Sequence, residues 1–333
     1  MEMSKEFKSV QTKVNSIIND YCSTISNKKL ANIVTYSFNG GKRLRPIIIL
    51  SISKHLDIQD KNIELCILIV ELLHSASLIL DDLPCMDNDI LRRGKETVHY
   101  KYGIKPAYVT SNFMIGDSIN MLFKIVGNLQ KEIMESPKSD NMKYKAIIHK
   151  IIDIVFTHNN YTSIGQYVDL SKLDSNYNST MLQSVIINIK NNSLITDFLH
   201  KSLPTADETH TIDKILSLSL KTYPLFYLSF QLPLLVSTTH YDIDFKNIEL
   251  IAFTFSLLFQ IADDFEDYEK DCKIDKNNSF IKILDKEPAY NLYSRSVREF
   301  SSLLNMLPKL DLDIFKYIVQ MLDKKINSYH NHG

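Results

Sequence analysis

The sequence predicts an all-α fold, a single helical bundle. Gly (8) and Pro (9) are sparse among 333 residues. Strict alternation of apolar and polar residues is hard to find, and apolar residues recur at helical spacing instead. Phe7, Val10, Val14, Ile17, Ile18 and Tyr21 fall on one face of a first helix. Residues 63–80 form the longest apolar stretch and reach membrane-span length. Glu64, Glu71 and His74 interrupt that stretch, and such groups are expensive against lipid, so it reads as a buried core helix. Residues 147–156, 215–235, 248–261 and 314–322 repeat the pattern. Long apolar helices joined by short polar breaks imply a bundle whose site lies among facing helices.

No Gly/Ser linker divides the chain, and no internal repeat is found beyond two aspartate clusters. Residues 1–333 are therefore read as one domain. The weakest stretch is 171–213, which is polar, rich in Asn and Ser, and broken at Pro204 and Asp207. It is expected to be a surface insertion or a flap.

The chain is 44% hydrophobic with a formal net charge of -1. That composition can bury a substantial core and gives no electrostatic argument for a nucleic-acid partner. Cys22, Cys66, Cys85 and Cys272 are scattered with no C-x-x-C pair, which fits a reducing compartment. Acidic Glu2 and Glu6 stand near the N-terminus, without an apolar signal core or an Arg-rich transit pattern. The expectation is a cytoplasmic protein without stable membrane insertion.

The chemistry is concentrated in two segments, Asp81-Asp82-Leu-Pro-Cys-Met-Asp87 and Asp263-Asp264-Phe-Glu-Asp267, each ending an apolar helical run. Carboxylates packed this closely repel one another. Hard divalent cations relieve the repulsion, and Mg²⁺ held by a few carboxylates keeps positions open for substrate phosphates. Asp263 and Asp267 are four residues apart, about 40° from each other on one helix face. In the first segment Pro84 breaks the helix, so Asp87 must return through a turn. Two such clusters facing each other would clamp a diphosphate between metals. A solvated acidic surface is the ordinary reading of an isolated D-D-x-x-D, but apolar residues 253–262 place this one at the mouth of something buried.

Arg92, Arg93 and Gly94 follow the first cluster, and adjacent arginines suit diphosphate oxygens through fork-shaped hydrogen bonding. Salt bridges from these arginines to nearby aspartates are compatible with that role in the metal-free state. Gly40-Gly41-Lys42-Arg43-Leu44-Arg45-Pro46 adds flexible glycines and three cations, a plausible anion pocket.

With these segments in hand, the chain is identified as resembling the trans-isoprenyl diphosphate synthases (polyprenyl synthetases), most of all the geranylgeranyl and farnesyl diphosphate synthases. D-D-L-P-C-M-D-N-D-I-L-R-R-G-K-E-T-V-H-Y (residues 81–100) nearly spells the family's first aspartate-rich motif. G-G-K-R-L-R-P (40–46), G-Q-Y-V-D-L (165–170), Lys221-Thr222 and F-Q-I-A-D-D-F-E-D (259–267) stand in family order, and the likeness spans roughly residues 30–325. The resemblance implies an isoprenoid synthase fold with a central active-site cavity, and a homodimer acting on isopentenyl diphosphate and allylic prenyl diphosphates. It implies that Lys42, Arg45 and His74 hold the diphosphate of isopentenyl diphosphate, with Arg93 closing on it. Asp81, Asp82, Asp87, Asp263, Asp264 and Asp267 would bind Mg²⁺ around the allylic diphosphate, which Arg92 and Lys221 would also touch. Thr222 and Gln260 would lie near the developing allylic cation. The implied mechanism is ionisation, condensation and elimination, with pyrophosphate taking the last proton. His74 is thus a diphosphate donor in this reading; without the family, a satisfied core histidine is the plain alternative.

The chain departs from the family at several positions. Residues 268–279 are shorter than usual, and Asn277 stands where a family lysine binds diphosphate; Lys273 or Lys276 are the candidate substitutes. Tyr223 follows Lys-Thr where a small residue is common, and Leu80 replaces a frequent histidine. The chain is also longer than usual between Gly165 and Lys221. In this family, bulk about a turn before the first aspartate stops chain growth. Ala76 and Ser77 are small, so the expected product is geranylgeranyl diphosphate, with farnesyl or longer products as alternatives. A deeper floor would come from Met114, Ile115 or Ser118. Two rivals stay open. A non-catalytic partner subunit would typically have lost an aspartate motif, and a class I terpene cyclase would not need G-G-K-R-L-R-P.

Overall fold

Apolar periodicity becomes helix throughout the computed structural model, which describes residues 2–54, 56–135, 141–170, 180–203, 208–237, 244–273, 279–307 and 312–330. The helices are α1 (Glu2–Ser23), α2 (Lys28–Phe38), α3 (Leu44–Ser53), α4 (Asp60–Asp81), α5 (Val98–Tyr102), α6 (Ile104–Glu135), α7 (Asn141–Leu170) and α8 (Thr180–Lys190). They continue with α9 (Ser193–Ser202), α10 (Glu208–Ser219), α11 (Tyr223–Val236), α12 (Phe245–Lys273), α13 (Phe280–Leu284), α14 (Lys286–Leu304) and α15 (Leu312–His330). Among the described residues the strands are a two-residue pair, β1 (Leu91–Arg92) and β2 (Lys95–Glu96). Two compact units divide the chain, 1–155 with 232–240 and 156–231 with 241–333. The divisions fall inside α7 and α11.

In the first unit α1 buries Phe7, Val14, Ile17, Ile18 and Tyr21, the face its periodicity predicts. Tyr21 also donates a hydrogen bond of 2.6 Å to Asp117 on α6. Asn27 caps α2 by accepting from the Lys29 and Leu30 amides, both at 3.1 Å, which satisfies two of the donors a helix start leaves open. Helix α4 packs against α6 and α3. It is long and apolar enough to cross a membrane, yet most of its apolar residues are buried within the protein. Its interior Glu71 is ion-paired to Arg43. Burial of each such Leu or Ile side chain contributes about 1.5–3 kcal/mol, so this face stabilises the unit strongly. Helix α6, which the periodicity reading does not name, supplies its opposing surface.

In the second unit α12 is the central element, packed on α9, α10, α13, α14 and α15. Phe226 and Phe230 of α11, Phe255 of α12, Phe300 of α14 and Phe315 of α15 form one buried aromatic cluster. Phe226 and Phe255 meet edge to face at 4.8 Å, a favoured geometry for aromatic rings.

One expectation changes here. Residues 215–235 are not one helix: α10 ends at Ser219 and α11 starts at Tyr223. The reason is Pro224, which lacks an amide hydrogen and fits only the first turn of a new helix. The polar stretch 171–213 holds α8, α9 and the start of α10, with Leu182, Val185, Ile186, Ile189, Ile195, Phe198 and Leu199 buried. Its described part is packed helix, because its apolar residues keep helical spacing. Residues 171–179 and 204–207 lie outside the described residues.

Candidate active site

The first cluster is built at the end of α4. Beyond Asp82 and Pro84 the chain turns back, so that the Asp87 amide donates to the Asp81 carbonyl at 2.9 Å and the Asn88 amide to the Leu83 carbonyl at 3.1 Å. Asn88 takes a left-handed φ of 54° to allow this. Asp81 and Asp82 are both buried. Arg92 donates from Nε to Asp82 Oδ1 at 2.5 Å and lies 3.7 Å from Asp89. Burial pushes the Asp82 carboxyl up to about 6 despite the pull of Arg92, with Asp89 and Asp87 adding to the rise.

The two arginines sit on a hairpin whose register pairs Leu91 with Glu96 and Arg92 with Lys95. Its corners, Arg93 and Gly94, have φ of 55° and 73°, the signs a two-residue type I′ turn requires. This turn aims Arg93 at Gly40 and Gly41. A Cβ on Gly41 would lie 2.7 Å from one guanidinium nitrogen of Arg43 and 3.0 Å from one of Arg93. Gly41 therefore leaves space for two guanidinium groups.

The basic segment separates by role. Arg43 does not join an anion pocket: it donates to Glu71 at 2.9 Å, to Asn15 at 3.0 Å, and to the Phe38 carbonyl. The correction has a physical cause, since Glu71 is buried in α4 and a lone buried carboxylate would be costly. Lys42 is exposed. Arg45 is buried, with Nη1 3.3 Å from His74 Nε2. Burial, then the charges of Arg45, Arg93, Arg92 and Arg43, hold the His74 pKa well below the usual histidine range. His74 is therefore a neutral imidazole among cations.

In the second cluster the carboxylates already have partners. Asp263 Oδ1 is 2.5 Å from Lys325 Nζ, and the same ammonium contacts Glu266. Asp264 accepts the Phe280 amide hydrogen at 2.6 Å, at the start of α13. Asp267 is exposed. Burial works against the Lys325 charge, but its hydrogen bonds to Asp263 and Glu266 outweigh that and raise its pKa. Sequence reasoning missed Lys325: no motif marks it, and it comes from 62 residues away. Lys276 and Asn277 lie outside the described residues, as does the Lys273 side chain.

The turn between α10 and α11 carries Lys221 and Thr222. Lys221 Nζ donates to Asp169 at 2.7 Å, and Thr222 is half-buried with its amide bonded to the Ser219 carbonyl at 3.0 Å. Gly165 brings this turn against α7. A Cβ there would meet the Leu220 carbonyl carbon at 2.4 Å and the Lys221 nitrogen at 2.5 Å. Gln260 donates to the Leu218 carbonyl at 3.1 Å, while its Oε1 is buried without a hydrogen-bond partner among the described residues. Gln166, in the same motif as Gly165, has a buried Nε2 in the same position; it was not singled out from sequence. Tyr223 is a core residue, bonded to Glu249 at 3.0 Å and packed on Phe253.

Among the described residues no three His, Cys, Asp or Glu side chains converge as a metal cage. Arg92, Lys325 and the Phe280 amide occupy carboxylate oxygens instead. An all-oxygen donor set at each cluster is the chemistry Mg²⁺ prefers, so the residues fit that ion.

Solved structures place the fold. A geranyltransferase from Legionella pneumophila aligns with a TM-score of 0.68 and 18% identity, covering 99% of this chain and 98% of its own. A geranyltransferase from Helicobacter pylori, complexed with magnesium and isoprenyl diphosphate, aligns with a TM-score of 0.60 and 22% identity over 100% and 97%. The class is thus the all-helical isoprenoid synthase fold. The polyprenyl synthetase family model matches residues 27–279, and the chain belongs to that family of trans-prenyltransferases. A farnesyl diphosphate synthase of Buchnera aphidicola subsp. Acyrthosiphon pisum is 29% identical over 255 residues, 76% of this chain and 75% of that one.

Proposed function

We propose that this chain condenses isopentenyl diphosphate with allylic diphosphates, in the presence of Mg²⁺, to make geranylgeranyl diphosphate. The supporting observation for product length is at Ala76. It is fully buried, its carbonyl accepts from Ser111 Oγ at 3.0 Å, and Ser77 beside it is also small. Ala76 and Ser77 put no bulk at the two positions where the family resemblance places the stop to chain growth, which supports a tail beyond farnesyl length.

The roles proposed for the side chains are those the family resemblance implies. Lys42, Arg45 and the neutral His74 hold the diphosphate of isopentenyl diphosphate, His74 as a hydrogen-bond donor rather than a base. Arg93, carried by the hairpin turn, closes on it. Arg92 exchanges Asp82 for the allylic diphosphate, and Lys221 exchanges Asp169. Mg²⁺ held by Asp81, Asp82, Asp87 and by Asp263, Asp264, Asp267 would supply Lewis-acid stabilisation of the departing diphosphate. Thr222 and the partnerless Gln260 Oε1 offer oxygen dipoles to the positive charge that develops on the allylic carbon. No side-chain base is needed, since the pyrophosphate produced can take the final proton.

A farnesyl product is the second reading, favoured by Met114. It is fully buried on α6, one turn from Ser111, and could close the floor below Ala76. The chain is proposed to act as a homodimer in a reducing, cytoplasmic setting. Support comes from exposed Tyr100, Ile104, Tyr108, Val109 and Phe123 on α5 and α6 and from the free thiols of Cys22, Cys66 and Cys85. The test is incubation of purified protein with Mg²⁺, isopentenyl diphosphate and dimethylallyl, geranyl or farnesyl diphosphate in turn, with products separated by length. A dominant geranylgeranyl product is expected. Arrest at farnesyl would move the floor to Met114, and no elongation with any primer would overturn the catalytic reading in favour of a partner subunit.

A further inference from the structure

We propose that Lys325 is the resident cation of the second aspartate cluster and makes its metal loading depend on a diphosphate. The proposal rests on reading Asp263 as a metal ligand, and it adds a residue that lies beyond the matched family region of 27–279. Lys325 Nζ is 2.5 Å from Asp263 Oδ1 and also contacts Glu266, one helical turn further along α12. The lysine side chain is 15% exposed, less than the 38% of Asp263 or the 55% of Glu266. The lysine side chain is thus the most buried member of this charge cluster.

A divalent ion at Asp263 competes with this ammonium for the same carboxylate, and an ammonium left nearby repels the incoming ion. Metal alone therefore binds at a disadvantage. A diphosphate arriving with the metal changes the balance, because its oxygens are stronger charge-assisted acceptors for the displaced ammonium. The flexible four-carbon stem of lysine permits that exchange without moving α15. Glu266, absent from the expected ligand set, retains an acceptor for the ammonium when Asp263 turns to metal. The same residue answers a gap in the sequence: Asn277 stands where the family resemblance expects a diphosphate-binding lysine, and Lys325 brings a cation to the cluster from α15.

The test is Mn²⁺ binding to the full chain, followed by electron paramagnetic resonance, with and without inorganic pyrophosphate. Wild type, Lys325→Met and Lys325→Arg are compared, and sites away from the second cluster cancel in the comparison. Wild type is expected to bind Mn²⁺ at least about tenfold more tightly with pyrophosphate. Lys325→Met is expected to tighten Mn²⁺ binding without pyrophosphate by about tenfold, the scale of one removed charge after discounting for solvent. It should also lose most of the pyrophosphate enhancement, whereas Lys325→Arg, which keeps the charge and controls for folding, should retain it. Unchanged or weaker Mn²⁺ binding in Lys325→Met, with the enhancement intact, would show an ordinary structural ion pair and overturn the proposal alone. Absence of any enhancement in wild type would overturn the diphosphate-site reading together with it.

Discussion

Gly165 lies where α7 presses its backbone onto the Leu220–Lys221 peptide, with space there for a hydrogen and nothing larger. Replacing it with alanine puts a methyl group against rigid backbone, which no side-chain rotation can relieve. Gly165→Ala is expected to destabilise the protein by about 3 kcal/mol, the upper range for overpacking, and to move Lys221 away from Asp169. The check is a urea melt paired with steady-state turnover, both of which should fall. His74 makes a second residue-scale prediction. Its folded pKa is depressed, so below about pH 6.5 the unfolded chain takes up a proton that the folded chain excludes. Stability fully present above that pH is then lost as the pH falls towards the folded value. His74→Gln should flatten the decline of Tm between pH 6.5 and 5, and an unchanged slope would mean that the imidazole titrates freely in the fold.

At the scale of elements, the arginine hairpin shows how little secondary structure a site can need. Two residues per strand and a type I′ corner carry Arg92 towards Asp82 and Arg93 towards Gly41. Gly94 holds its φ of 73° with open space around it, so a substitution there brings strain without collision. Gly94→Ala should cost about 1–2 kcal/mol of hairpin order. Because the hairpin is exposed, Tm should barely change while KM for the allylic diphosphate rises several-fold. A loss of Tm with unaltered KM would place the hairpin in the structural frame instead. The break between α10 and α11 has the same logic: Pro224 ends one apolar run and starts another, and Lys221 and Thr222 are placed in the turn so created.

At the scale of the whole molecule, the proposed homodimer predicts that Tyr108→Glu, which puts charge into the exposed apolar area of α5 and α6, yields a monomer by light scattering with its helical content intact. The all-α class, α1, α4 with its end at the first aspartates, and the family itself were legible in the sequence. Periodicity, local breakers and dense carboxylates are properties of short stretches of chain. Arg43 shows the limit. Its place in a basic run suggested an anion pocket, and only the packing of α3 on α4 gave it to Glu71. Helices α8 and α9 were overlooked because the Asn, Ser and breaker residues around them masked their apolar spacing. Lys325 carried no signal, since its meaning comes from a partner 62 residues away. The sequence by itself determined which chemistry the chain can offer: two aspartate clusters and their neighbouring cations. Tertiary structure alone decided which cation meets which carboxylate, because charge pairing depends on distance through space and the chain encodes that distance only through the packing of its helices.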